Sequence, residues 1–185
     1  MTSSEKALPR SRTVDLVYMA LFAVLMAVCA WITIPLTVPF TLQTFAGFMA
    51  LATLGGRRGT CAVVVYLLLA AVGLPVFSGM QGGLGVLLGA TGGYIAGFLA
   101  SALTFWGLTA RLGTSLPAMM LSCAAGLAVC YAFGTAWFLV VYAGTAGPIG
   151  LGAALGMCVL PFIVPDLFKI ALALSLSRRI RAHLR

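Results

Sequence analysis

From Gly59 to Ala110, and again from Leu112 to Pro165, no side chain carries a charge. A helix or strand of a soluble fold must show polar side chains every few residues on its wet face. Stretches of this length without a charge belong in lipid. Composition agrees: 62% of the residues are hydrophobic and 8% charged, with a mean hydropathy of +1.14. An average soluble domain is roughly 45–50% apolar and about 25% charged. The chain reads as an all-α integral membrane protein.

A spanning helix needs about 20 mostly apolar residues. The first apolar run goes from about Val14 to Thr33. Two prolines in Ile34–Phe40 remove backbone donors and favour extended backbone before each ring, which ends it. A short second run, about Thr41 to Leu54, stops at Gly55-Gly56-Arg57-Arg58. A third, from Gly59 to about Val72, is closed by Gly73-Leu-Pro75 and a glycine-rich stretch to Gly93. The fourth runs from about Gly92 to Ala110 and the fifth from about Ser115 to Ala143. The sixth, from about Gly150 to Leu176, leads into a basic tail.

Charge placement tests six spans independently. Cytoplasmic loops are enriched in Lys and Arg. With both termini inside, the inner segments are residues 1–12, 55–58, 111–114 and the C-terminus. They hold ten of the eleven Lys and Arg residues, and the outer segments hold none. The reading is one membrane domain over 1–185 in the cell membrane: a basic cytoplasmic tail at 1–12, a six-helix bundle at 13–177 and a basic cytoplasmic tail at 178–185. The net charge of +8 falls in short clusters between spans, so it points to no nucleic acid. The first run is too long for a signal-peptide core.

The residue inventory excludes much chemistry. The acids are Glu5, Asp15 and Asp166, and the one histidine is His183. No carboxylate pair, histidine triad, metal cage or catalytic residue set can be assembled from these. No nucleotide-binding motif occurs, so the chain is not expected to be an enzyme or to hold a cofactor. Cys29, Cys61, Cys123, Cys130 and Cys158 lie in apolar runs without a CxxC spacing and read as small hydrophobes.

Against that background Pro165-Asp166-Leu-Phe-Lys169 stands out. An Asp or Lys at the centre of a spanning helix costs about 2.5–3.5 kcal/mol on translocon scales. The i,i+3 spacing puts both on one helix face, where each partly neutralises the other. That face must point to the bundle interior or a wet cavity. Either the pair fixes helix packing, or it offers a ligand an anionic acceptor and a cationic donor. In the glycine stretch, Gly93, Gly97 and Ser101 follow the small-xxx-small spacing that lets helices approach. Gly82, Gly83 and Gly85 lie upstream, where bare backbone amides can approach a ligand. Gln43, at the outer start of the second helix, carries an amide that donates and accepts.

These segments together resemble the BioY family, the biotin-binding S components of energy-coupling factor (ECF) transporters. The matching stretches are Ile34-Pro-Leu36 with Val38–Phe45, Gly73-Leu-Pro-Val-Phe77, Gly82–Phe98 and Pro165–Lys169. Their order covers nearly the whole chain. One departure is Ala90, where the family often reads proline. The resemblance implies an ECF S-component-like bundle that takes biotin from the outer side. It implies ligand-binding roles for Asp166, Lys169, Gln43, Tyr94 and the glycine loop. It implies partners as well: a transmembrane coupling subunit and two ABC-type ATPases. Small residues on the first helix then serve docking, and Ala23 and Ala27 supply that spacing; the same spacing also suits packing within the chain. The alternative is a small ion-coupled transporter or channel built on Asp166 and Lys169.

Overall fold

The computed structural model of the chain describes residues 12–183. The tail cations Lys6, Arg10 and Arg185 lie outside the described residues. The described chain is almost entirely helical: α1 (Arg12–Trp31), α2 (Gln43–Leu54), α3 (Gly56–Ala71), α4 (Leu84–Leu87), α5 (Gly92–Leu112), α6 (Leu116–Ala146), α7 (Leu151–Cys158) and α8 (Leu160–His183). The proline-rich link after α1 folds into a small hairpin. Its strands β1 (Thr33–Ile34) and β2 (Phe40–Thr41) pair antiparallel, Thr33 opposite Thr41. A single 3-10 turn, Ser78–Met80, and α4 lie in the glycine-rich link before α5.

Among the described residues, four stretches are long and apolar enough to cross a membrane: Arg12–Trp31, Gly92–Leu112, Leu116–Gly144 and Leu151–Ala182. With α2 at 12 residues and α3 at 16, these two reach only about 18 and 24 Å. α2 sits at the centre of the bundle. Ala46 and every residue from Phe48 to Leu54 are buried, against α1, α3 and α8. Leu16, Val17, Leu21, Val24, Val140, Val164 and Phe168 are exposed on the periphery, as lipid-facing side chains would be.

The sixth apolar run is not one helix. It divides at Val159, whose backbone (φ −126°, ψ −56°) leaves the helical region, into α7 and α8. Pro161 explains the break: it has no N–H to give the carbonyl four residues back, and its ring crowds that turn. Pro165 lies inside α8 one turn later.

The small-residue stripe does pack helices. α5 and α6 run antiparallel in close contact. A Cβ on Gly93 would stand 2.2 Å from Cβ of Trp137, and one on Gly97 would stand 2.9 Å from Sγ of Cys130. Ala23 and Ala27 also lie where helices meet. They are 1% and 6% exposed, within the core that α1 shares with α2 and α3.

The two ends of the bundle differ. At one end Arg58 pairs with Asp15 (2.8 Å), and Arg181 Nε donates to the carbonyl of Thr53 (3.1 Å). At the other end the hairpin meets the glycine-rich link: Trp31 Nε1 donates to the carbonyl of Pro75 (2.8 Å), and Ser78 Oγ donates to Thr33 Oγ1 (3.0 Å).

Candidate functional site

The shortness of α2 shapes the site. Because that helix begins only at Gln43, the hairpin backbone dips into the bundle. Non-helical backbone at such depth is tolerated where it lines a cavity or is buried in protein. A cavity of about 120 Å³ opens under the hairpin and the glycine-rich link. Its wall is mostly apolar, from Val38, Phe77, Ile95, Phe98 and Phe162 among others, with a few polar groups. An apolar cavity with a few placed polar groups is the usual form of a small-molecule site.

Asp166 and Lys169 from α8 lie in that wall, 3% and 6% exposed. Lys169 Nζ donates to Asp166 Oδ1 (2.8 Å), to the Thr41 carbonyl (2.7 Å) and to Thr44 Oγ1 (3.2 Å). The Thr44 hydroxyl in turn donates to Asp166 Oδ1 (3.0 Å), and the Tyr131 hydroxyl donates to Asp166 Oδ2 (2.7 Å). The Lys169 ammonium also rests 3.9 Å from the centroid of the Phe40 ring, where the negative face of the aromatic ring attracts it. All three ammonium donors are thus engaged. Of the two carboxylate oxygens, Oδ1 accepts twice and Oδ2 once. An ionised carboxylate offers about four acceptor positions, so Oδ2 keeps room for a further N–H. The network joins the hairpin, α2, α6 and α8 at one point.

Gln43 and Tyr94 also line the cavity. Tyr94 is held against α6: its hydroxyl shares a hydrogen bond with Thr135 Oγ1 (2.9 Å), and its ring closes on Gly134. It therefore offers the cavity a ring rather than an open hydroxyl. Gly82, Gly83 and Gly85 are not part of the cavity lining; Gln81 and Val86 from the same link are. Gly82 passes so close to Leu74 that a Cβ would reach its carbonyl oxygen at 2.0 Å. The N–H of Gly83 donates to the carbonyl of Ala70 (2.7 Å). Gly82 and Gly83 thus make the close backbone contacts of the link.

Thr44, Tyr131 and Phe40 enter the network without a sequence signal as sharp as the charges. Thr44 follows Gln43, and Tyr131 is a polar tip in an uncharged run. Each would have been found only by asking what could satisfy a buried carboxylate. Among the described residues, no three His, Cys, Asp or Glu side chains come together to hold a metal ion.

The chain matches the BioY family over residues 2–185. It is 40% identical to the biotin transporter BioY of Thermotoga maritima, over 90% of this chain and 95% of that one. It is 37% identical to the biotin transporter BioY of Rhodobacter capsulatus, over 88% of this chain and 90% of that one. Among solved structures it is similar to the S component for biotin from an ECF-type ABC transporter. The TM-score is 0.82, with 28% identity and 95% of both chains covered. With a family match across the chain and a shared fold, the chain belongs to the BioY family.

Proposed function

We propose that the chain is the biotin-capturing membrane subunit of a vitamin uptake transporter. It takes biotin from the outer face of the cell membrane and delivers it inward with a transmembrane coupling subunit and two ABC-type ATPases. Hydrolysis of ATP belongs to those partners, and this chain performs no catalysis. The reading includes a single membrane domain over 1–185, with six membrane segments and both termini cytoplasmic. In it α2 and α3 are short segments, and α7 with α8 forms one broken segment. The basic side chains of 55–58, Arg111 and the C-terminal tail then face the cytoplasm and anionic lipid.

The observation that carries the reading is the buried Asp166–Lys169 pair in the wall of an apolar cavity. Intramembrane ions are expensive and mark functional sites. Biotin offers two ureido N–H donors, one ureido carbonyl, an apolar thiophane with its chain, and a carboxylate. Asp166 Oδ2 suits a ureido N–H. Lys169 holds the Asp166 carboxylate in place and serves the ureido ring when the ligand displaces one of its present acceptors. Tyr94 and Phe162 give the apolar rings a wall. The carboxylate stays toward the mouth, where Ser78, Gln81 and Thr91 line the cavity. Family membership favours vitamin capture over an ion-coupled role for the pair.

The test is binding of labelled biotin to the purified chain in detergent, for wild type and for Asp166→Asn. Tight binding by the wild type and its loss in the variant are expected. A well-folded wild type that binds no biotin would end the proposal.

A further inference from the structure

The one glycine of α2 is not required by packing. Gly47 lies in the interior of that helix, where glycine is weaker than alanine. Other glycines of the bundle are held by close neighbours: a Cβ on Gly59 would come 2.6 Å from Cα of Leu51. A Cβ on Gly47 would meet nothing nearer than Sδ of Met26, at 3.9 Å. Gly47 and Met26 both line a second void of about 20 Å³, deeper along α2 than the main cavity.

The wall of this void is apolar at Leu51 and Val63 and polar at Gln43, Thr44 and Ser101. Gln43 and Ser101 are 6% and 4% exposed. The Nε2 donor of Gln43 is buried, with no hydrogen-bond partner among the described residues. A buried donor left unmatched bears its full desolvation cost. Thr44 Oγ1 already donates to Asp166 and accepts from Lys169, and a hydroxyl oxygen has a second lone pair to offer. A buried water needs about 10–15 Å³ of such space and about two to four polar partners. The void has the room, one amide donor and two hydroxyls. A chloride ion would also accept from the amide. At this depth it would be an anion without a cation of its own, since the Lys169 donors are engaged, and burying an unpaired charge is costly.

We propose that Gly47 keeps open a site for one structural water. The water accepts from Gln43 Nε2, donates to Ser101 Oγ, and so bridges α2 to α5 beneath the cavity. The site needs no bound vitamin and does not rest on the biotin reading.

The test is thermal unfolding of the ligand-free protein in detergent, as a double-mutant cycle. Gly47→Ala brings a better helix former but turns the water out and strands the Gln43 donor. Gln43→Leu removes that donor and keeps the side chain as far as its δ carbons. In the Gln43→Leu background, Gly47→Ala only fills an apolar void, and the midpoint should rise by roughly 2–4 °C. In wild type the same change should fall short of that rise by at least about 2 °C, the lower bound for an unmatched donor. An equal shift in both backgrounds, upward from a dry void or downward from a clash, overturns the proposal. Ser101→Ala decides the matter if Gln43→Leu does not fold. It should lower the midpoint in wild type, where the water loses a partner, and not in Gly47→Ala, where the water is already gone; equal losses overturn the site. A high-resolution crystal structure reads it directly. One water should lie within hydrogen-bond distance of Gln43 Nε2 and Ser101 Oγ in wild type and be lost in Gly47→Ala, and a dry void in wild type overturns the proposal. Failure of wild type to bind biotin would end the biotin reading and leave this cycle unchanged.

Discussion

Consider Asp166→Asn. The carboxylate accepts from Lys169, Thr44 and Tyr131. An asparagine keeps the volume, loses the charge and turns one acceptor oxygen into a donor. Whichever way the amide faces, either Lys169 with Thr44 or Tyr131 meets that donor head-on. The larger effect is on Lys169. At 6% exposure it keeps the Thr41 carbonyl and the Thr44 hydroxyl but has no counter-ion. Breaking a buried pair from one side costs about 3–5 kcal/mol. At the ~2–4 °C per kcal/mol typical of chains of this size, the thermal midpoint should fall by on the order of 6–20 °C. A second variant separates stability from recognition. Asp166→Asn with Lys169→Met removes both ions, and neutral replacement of a whole buried pair is often close to neutral for stability. Most of the lost midpoint should return, while biotin binding stays lost with the Asp166 acceptor. The assay is thermal unfolding of the purified protein in detergent, with binding measured well below the lower midpoint. A single variant within about 2 °C of wild type would refute a dry, mutually dependent pair. So would a double variant no more stable than the single one.

Three further outcomes follow from named contacts. Tyr131→Phe removes the hydroxyl that orients Asp166 Oδ2; a hydrogen bond to a charge is worth about 1.5–3 kcal/mol, so titration calorimetry should read roughly ten- to hundredfold weaker biotin binding. In Gly134→Ala the new methyl would come 2.1 Å from Cδ1 of Tyr94; overpacking of this kind costs about 1–3 kcal/mol, and the midpoint should drop as the Tyr94–Thr135 bond opens. Arg58→Ala breaks a pair whose arginine is 44% exposed, which is worth about 0–1 kcal/mol, and the small change should shrink further in high salt.

Much of this site can be read before any coordinates exist, and the reason is energetic. A charge in an apolar run costs so much that Asp166 and Lys169 announce themselves, and their i,i+3 spacing already places them on one face. The run boundaries are legible for a similar cause, since clustered proline and glycine disfavour a continuing helix. Hydroxyls are quieter. Thr44 and Tyr131 cost little in a helix, so nothing in their surroundings distinguishes a carboxylate partner from a packing residue. Ala23 and Ala27 show another limit. A small-residue spacing says that something comes close, but whether that is α2 and α3 or another protein depends on burial, which spacing does not carry. The loop glycines pose the same question. Gly82 and Gly83 are needed by the turn itself, and the residues that reach the cavity are their neighbours Gln81 and Val86. The division of α7 from α8 sits between these cases: Pro161 announces a break, but not that the helix resumes one residue before it.

The lengths of the helices carry a consequence for the membrane around them. α1 and α5, of 20 and 21 residues, are about 30 Å long, a match to the hydrocarbon layer of a typical bilayer. α6, with 31 residues, is about 46 Å long, nearer the full span from one headgroup layer to the other. Since Gly93 abuts Trp137, the turns of α6 from Phe138 to Ala146 continue about 14 Å past the start of α5. There they join Val38, Ala154, Cys158 and Phe162 in a separate apolar cluster with Tyr94. Val38, Tyr94, Cys158 and Phe162 of this cluster also line the cavity. A bilayer a few ångströms thicker or thinner would shift its edge along α6, at fractions of a kcal/mol per ångström of mismatch. The length of α6 thus leaves the bundle a tolerance for bilayers of different thickness.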